Sequence, residues 1–237
     1  MTQRDALILF FHTPQIDRSN PEDPFSTLPW EDIDILFTAM TGDILRTVSQ
    51  LNTVDILVYR DTKEISDDFF FPYHQRLKLV DLESATPLEQ IKIGIENAYA
   101  AGYQNIVVLL QNNPLILRKT MMEAFGQLGY EDDCIVVGPT CDERCYLVGM
   151  KMNHSSIFDS PDGDGAQKQH LLLKNICQLD SVLFLLHPMN AMDSAANLMV
   201  LMREIELLDK TSVEFPVKTA SAFRALQKKY KLIKNHT

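Results

Sequence analysis

The 237-residue sequence contains no apolar stretch near the ~20 residues that a membrane-crossing helix requires. Its first apolar run, Ala6 to Phe11, stops at His12 and is too short for the hydrophobic centre of a secretory leader, so a cytoplasmic protein is expected. Cysteine is scarce. Cys134, Cys141, Cys145 and Cys177 show no CxxC spacing, the signature of a zinc knuckle or a dithiol redox pair, and free thiols, buried or half-buried, are expected. A zinc site built from Cys141, Cys145, His154 and His170 is not selected by any spacing. Positive charge is also short: 22 Lys and Arg stand against 32 Asp and Glu, a net charge of -10. Phosphate backbones need clustered cations, so a nucleic-acid partner is not expected. The shortage is uneven. From Lys218 onward there are six basic residues and no acid, and taking that +6 from -10 leaves about -16 on the rest of the chain.

What is present is a core. Hydrophobic residues make up 46% and charged residues 23%, the balance of a globular chain. Ala6 to Phe11 is an unbroken apolar run, as in a strand buried on both faces of a parallel sheet. A loop with Pro14, Pro21, Pro24 and Pro29 follows, then a helical stripe over 30–51 and a strand at 54–59. A weaker strand is expected at 77–82. Thr86, Pro87 and Glu89 form an N-cap, a proline at the first helical position and a capping-box acid, so a helix starts there and ends at Gly102. Further strands are expected at 105–110, 134–137, 146–150 and 182–186. Helices are expected from Pro114 to about Gly129, over 166–178, and over 193–208 capped by Asp193 or Ser194. This alternation predicts a three-layer α/β/α domain with a mostly parallel mixed sheet over 1–217. Residues 218–237 form a basic tail in which Phe223, Leu226, Tyr230 and Ile233 share one helical face. That face packs on the acidic body or on a second copy in the preferred reading, and on anionic lipid or a protein partner in the other.

In such sheets ligands bind where loops converge beyond the carboxyl ends of the strands. Three segments there carry motifs: Val107 to Pro114 (VVLLQNNP), Gly138 to Gly149 (GPTCDERCYLVG) and Ala191 to Leu198 (AMDSAANL). They resemble a bacterial family of GT-A-like glycosyltransferases, distantly similar to nucleotidyltransferases that make activated phosphosugars or phospholactate guanylates. That family shows a G-[ST]-D-x-P turn, a G-P-A-x-D-G-G-Y-Y-L-[IV]-G motif and a D-[VI]-D-T-x-x-D-L segment. The second match runs twelve residues without a gap. The resemblance implies the nucleotide-diphospho-sugar transferase fold and a nucleotide sugar as ligand.

The departures bear on chemistry. The family's metal or phosphate acid in the first turn falls on Asn112, a neutral amide, so Mg²⁺ or Mn²⁺ would be held weakly. The Gly-Gly pair of the second motif, which lets backbone approach a sugar, is Glu143 and Arg144. Asp142 remains, as does Asp193 in the third segment. The resemblance implies a base at Asp142 and a metal ligand at Asp193; a turn former and a helix cap are the alternatives. Asn112 and Asn113 are donor contacts or simply a helix start. The family's basic, glycine-containing loop after the first strand is here His12 to Asn20 (HTPQIDRSN), with Arg18 its sole cation. Arg144 beside Asp142 is a candidate internal ion pair standing in for a metal's charge. Asp162 and Asp164 spell Asp-x-Asp but lie in a Gly-rich loop, where a solvated turn is the default. The histidines receive no role. The implied function is a glycosyltransferase-like protein with eroded donor and metal motifs. A catalytically silent scaffold is the first alternative, and a nucleotidyltransferase, which would need the missing basic loop, the second.

Overall fold

The computed structural model describes residues 4–11, 28–60, 67–73, 75–81, 86–111, 113–159, 169–190 and 195–230. Seven strands form one sheet: β1 (Asp5–Phe11), β2 (Val54–Arg60), β3 (Leu77–Asp81), β4 (Asn105–Leu109), β5 (Cys134–Pro139), β6 (Cys145–Met150) and β7 (Val182–Leu185). Their order is β3-β2-β1-β4-β6-β5-β7, with β6 antiparallel to both neighbours and the rest parallel. The register sets Leu9 beside Val58 and Leu109, and Leu109 beside Leu147.

Seven helices accompany the strands among the described residues: α1 (Trp30–Val48), α2 (Asp67–Phe70), α3 (Pro87–Ala100), α4 (Arg118–Leu128), α5 (Gln169–Ile176), α6 (Ala195–Leu207) and α7 (Val217–Tyr230). Successive residues of β1 feed opposite faces, as the strand's period of two requires. Leu7, Leu9 and Phe11 pack with α1 and α4, and Ala6, Ile8 and Phe10 with α3 and α5. The sheet is thus covered on both sides, which is why its central strands read as continuous apolar runs. A third cluster joins Ile33, Leu36 and Met40 of α1 to Leu201 and Ile205 of α6 and to Phe223 and Leu226 of α7. The apolar face of the basic C-terminal helix is therefore covered within the chain. Ile233 lies outside the described residues.

Local signals explain the element ends. Thr86 and Glu89 make the reciprocal capping box on α3, and Gly102 follows that helix at φ +83°. The helix expected from Pro114 instead begins at Arg118. Asn113 makes the difference: its side-chain oxygen accepts from Leu115 N–H and its carbonyl from Ile116 N–H, which closes a turn around Pro114. The first free N–H of α4 finds its acceptor far along the chain, in Glu214 Oε1 at 2.7 Å from Arg118 N. The α2 turn and the 3-10 turns Phe71–Tyr73 and Ser155–Phe158 were not expected from the sequence. Of the four thiols, Cys134 and Cys145 are buried, but Cys141 and Cys177 are exposed rather than half-buried. Cys141 is exposed because it sits on the β5–β6 turn, beyond the end of the sheet.

Candidate ligand site at the carboxyl edge of the sheet

Three segments at the carboxyl edge are fastened to one another. Leu110 N–H, just past β4, donates to Tyr146 O at 2.9 Å, and Tyr146 Oη donates to His187 O beyond β7 at 3.1 Å. Cys141 N–H donates to Met189 O at 2.9 Å, and Met189 N–H to Pro139 O at 3.1 Å. Asn113 Nδ2 donates to Asn190 O at 3.1 Å, and Asn190 Nδ2 to Glu204 Oε1 at 2.6 Å. These bonds run from each segment to the next, so the three segments form one platform rather than three separate ends.

On that platform stands the β5–β6 turn. Thr140 N–H donates to Arg144 O at 2.8 Å and Arg144 N–H to Thr140 Oγ1 at 2.9 Å, so the turn is closed from both sides. Thr140 Oγ1 in turn donates to Asp142 Oδ1 at 2.5 Å, and Arg144 Nε lies 3.6 Å from Asp142 Oδ2. Both charged side chains are more than one-third exposed, at 36% for Asp142 and 39% for Arg144. An exposed pair of this kind contributes ~0–1 kcal/mol. Glu143 adopts φ +65°, and its carbonyl accepts from Gln169 N–H at the start of α5 at 2.8 Å.

Of the residues singled out from the sequence, Asp142 and Arg144 are thus brought together at the edge where ligands of such sheets bind. Asn113 lies on the same platform but is buried, with both ends of its amide committed to the protein, an arrangement that fits a structural strut. Arg18, Asn112 and Asp193 lie outside the described residues, as do Asp162 and Asp164. Among the described residues no group of three His, Cys, Asp or Glu is placed to hold a metal ion. The acid on this turn is part of no such group, so the described residues do not supply the several ligands a divalent ion needs. Cys141, Cys145, His154 and His170 form no such group either. His154 instead pairs through Nε2 with Asp133 Oδ2 at 2.6 Å, at the opposite, amino edge of the sheet.

Two residues at the carboxyl edge carried little signal in the sequence. Arg60 ends β2 with its side chain buried, its Nε 3.4 Å from Asp81 Oδ1 and its guanidinium 5.4 Å from the Phe70 ring centre. A charge directly after the apolar run Ile56 to Tyr59 was the only hint. Gln111, directly after Leu110, is the second. Arg118 and Lys119, by contrast, line a separate hollow with Gln50 to Thr53, which precede the amino end of β2.

No family model and no curated protein matches the sequence. Solved structures do match the architecture. A protein from Desulfovibrio desulfuricans assigned as a nucleotide-diphospho-sugar transferase is 16% identical, covers 97% of this chain and 99% of its own, and superposes with a TM-score of 0.77. A cytidylyltransferase from Leptospira borgpetersenii is 15% identical over 100% of this chain and 99% of its own, with a TM-score of 0.56. A 4-diphosphocytidyl-2C-methyl-D-erythritol synthase from Anaerococcus prevotii, 10% identical over 94% of this chain and 96% of its own, gives 0.51. The chain has the nucleotide-diphospho-sugar transferase fold, a GT-A-like mixed sheet between two helical layers. No helix among the described residues is long and apolar enough to cross a membrane.

Proposed function

We propose that this chain is a nucleotide-sugar transferase homologue that holds a nucleotide-activated ligand at the carboxyl edge of its sheet through side-chain charge, in place of a divalent ion. The observation that carries this reading is the Asp142–Arg144 pair, set 3.6 Å apart on a turn braced by Thr140. Solved structures sharing the fold are named for nucleotide-sugar and cytidylyl transfer, which supports the ligand class.

A guanidinium presents a planar array of donors that matches phosphate geometry. In this reading Arg144 turns from Asp142 to the ligand's diphosphate, and the freed carboxylate becomes a base for an acceptor hydroxyl. Transfer would then form a bond from that hydroxyl oxygen to the sugar's anomeric carbon. The nucleoside diphosphate would leave and the proton pass to Asp142. Asp193, Arg18 and Asn112, singled out from the sequence for the same chemistry, lie outside the described residues. The cytidylyltransferase reading is disfavoured by the single cation, Arg18, in the loop after β1.

The test is a thermal-shift titration with UDP-, GDP-, ADP- and dTDP-glucose, each in EDTA and in Mn²⁺, on the native protein, Asp142→Ala and Arg144→Gln. One donor at ~100-fold over its Kd should raise Tm by about 5–10 °C, equally in EDTA and Mn²⁺, with the rise reduced in Arg144→Gln. No rise with any donor at millimolar concentration would sink the proposal and leave the catalytically silent scaffold as the better reading.

A further inference from the structure

Gln111 is one residue past the backbone bond that ties Leu110 to Tyr146, at the mouth of the central strand β4. As a residue it is half-buried, yet both polar atoms of its amide are out of water's reach and have no hydrogen-bond partner among the described residues. Folded proteins rarely leave both ends of a buried amide unpaired, because the hydration given up is not returned. The neighbouring amides on the same platform show the ordinary outcome: Asn113 is engaged at its donor and its acceptor, and Asn190 Nδ2 is held by Glu204. Gln111 is the exception. It also stands where the resembled family has a serine or threonine, so a short hydroxyl has become a long, uncharged donor–acceptor pair.

We propose that Gln111 is a specificity-determining residue of the ligand site, whose amide swings outward to pair with a neutral ligand edge carrying one donor and one acceptor. This rests on the reading that the carboxyl edge binds a nucleotide-activated ligand. The residue's incomplete burial and the three rotatable bonds of glutamine permit the swing. An amide cannot neutralise phosphate, and its oxygen repels it, so the chemistry selects an uncharged partner: the adjacent hydroxyls of a sugar ring or the edge of a nucleobase. Being unpaired in the free protein is what makes the contact selective. Only a ligand that satisfies both atoms relieves the cost, and one lacking either group leaves the amide as it was.

The experiment uses Gln111→Met, which keeps the length and removes both polar atoms. Melting of the ligand-free variant is compared with native protein, and both are titrated with the four nucleotide-glucose probes, with the matching nucleoside diphosphates and with free glucose. The expected result is an unchanged or higher Tm for free Gln111→Met together with about tenfold weaker binding of the probe that the native protein takes. Loss seen with the diphosphate alone identifies the nucleobase edge, and loss seen only with the intact nucleotide sugar identifies the sugar hydroxyls. A lower Tm for the free variant would show that the amide serves the fold, and undiminished binding would show that it reads nothing; either overturns the proposal while leaving the parent reading standing. No response of the native protein to any probe overturns both.

Discussion

The ring of Tyr146 fills the space of the side chain that Gly138 lacks: a Cβ built at Gly138 would overlap that ring. Tyr146 is fully buried, and through its backbone carbonyl and its hydroxyl it ties the ends of β4 and β7 to β6. Gly138→Ala must therefore push the ring off the platform. The expected cost is ~1–3 kcal/mol, read as a lower midpoint in urea with an unchanged slope.

The buried carboxylate of Asp43 in α1 caps α7 from outside it. Its Oδ2 accepts from Thr219 N–H at 2.7 Å and Thr219 Oγ1 at 2.8 Å, its Oδ1 accepts from Lys218 N–H at 3.3 Å, and Arg46 Nη2 lies 3.6 Å away. Loss of the acid leaves unpaired donors at a buried helix start. Asp43→Ala should cost about 2–3 kcal/mol, a fall in Tm of about 5–10 °C by calorimetry, and Asp43→Asn roughly half of that.

At its far end α7 is held by a second carboxylate with a pH signature. Lys229 Nζ donates to Asp32 at 2.7 and 2.9 Å, and the Tyr230 hydroxyl donates to the same group. The Lys229 ammonium first, and the Tyr230 hydroxyl second, hold the Asp32 carboxyl below its ordinary 3.8. A depressed folded pKa adds stability that is complete above the unfolded value and drains as pH falls through the folded one. The Asp32 bond raises Lys229 above its ordinary 10.5, and stability from that source is present below 10.5 and lost as pH rises through the higher folded value. Denaturant melts of Asp32→Asn across pH should therefore be flatter than native ones below about pH 4 and at the alkaline end above the lysine range.

The thiols divide by burial. Burial pushes Cys145 up to about 12 and raises Cys134 as well, while Cys141 and Cys177 are exposed. A thiolate is the reacting species, so the native protein at pH 8 should show two fast-reacting thiols by Ellman titration, assigned by mass spectrometry to Cys141 and Cys177, and all four only in denaturant.

The sheet was legible in the sequence because its central strands are buried on both faces, and an apolar run such as Ala6 to Phe11 can then be little else. The α3 start was legible because Thr86, Pro87 and Glu89 act on their own backbone. The start of α4 was not, since its cap is Glu214, almost a hundred residues away, and Asn113 diverts the chain first. The twelve-residue motif explains itself only in three dimensions. Gly138 makes room for Tyr146, and a Cβ at Gly149 would stand 3.3 Å from Leu128 and Val107, so the matched positions include those that packing dictates. Where the resembled motif has its Gly-Gly pair, Glu143 adopts a left-handed backbone, at φ +65°, without being glycine. The site was half legible for the same reason. Asp142 and Arg144 are close in sequence and form a turn, whereas Gln111 and Arg60 owe their place to strands that meet only in the folded sheet.

The most direct test of a ligand held by side-chain charge is calorimetric titration of native protein and Arg144→Gln with the donor that binds, in EDTA and again in Mn²⁺. The account predicts the same Kd for the native protein in both buffers and at least ~tenfold weaker binding for Arg144→Gln, the loss of one charge-assisted contact. Binding that requires Mn²⁺ and is indifferent to Arg144→Gln would contradict it.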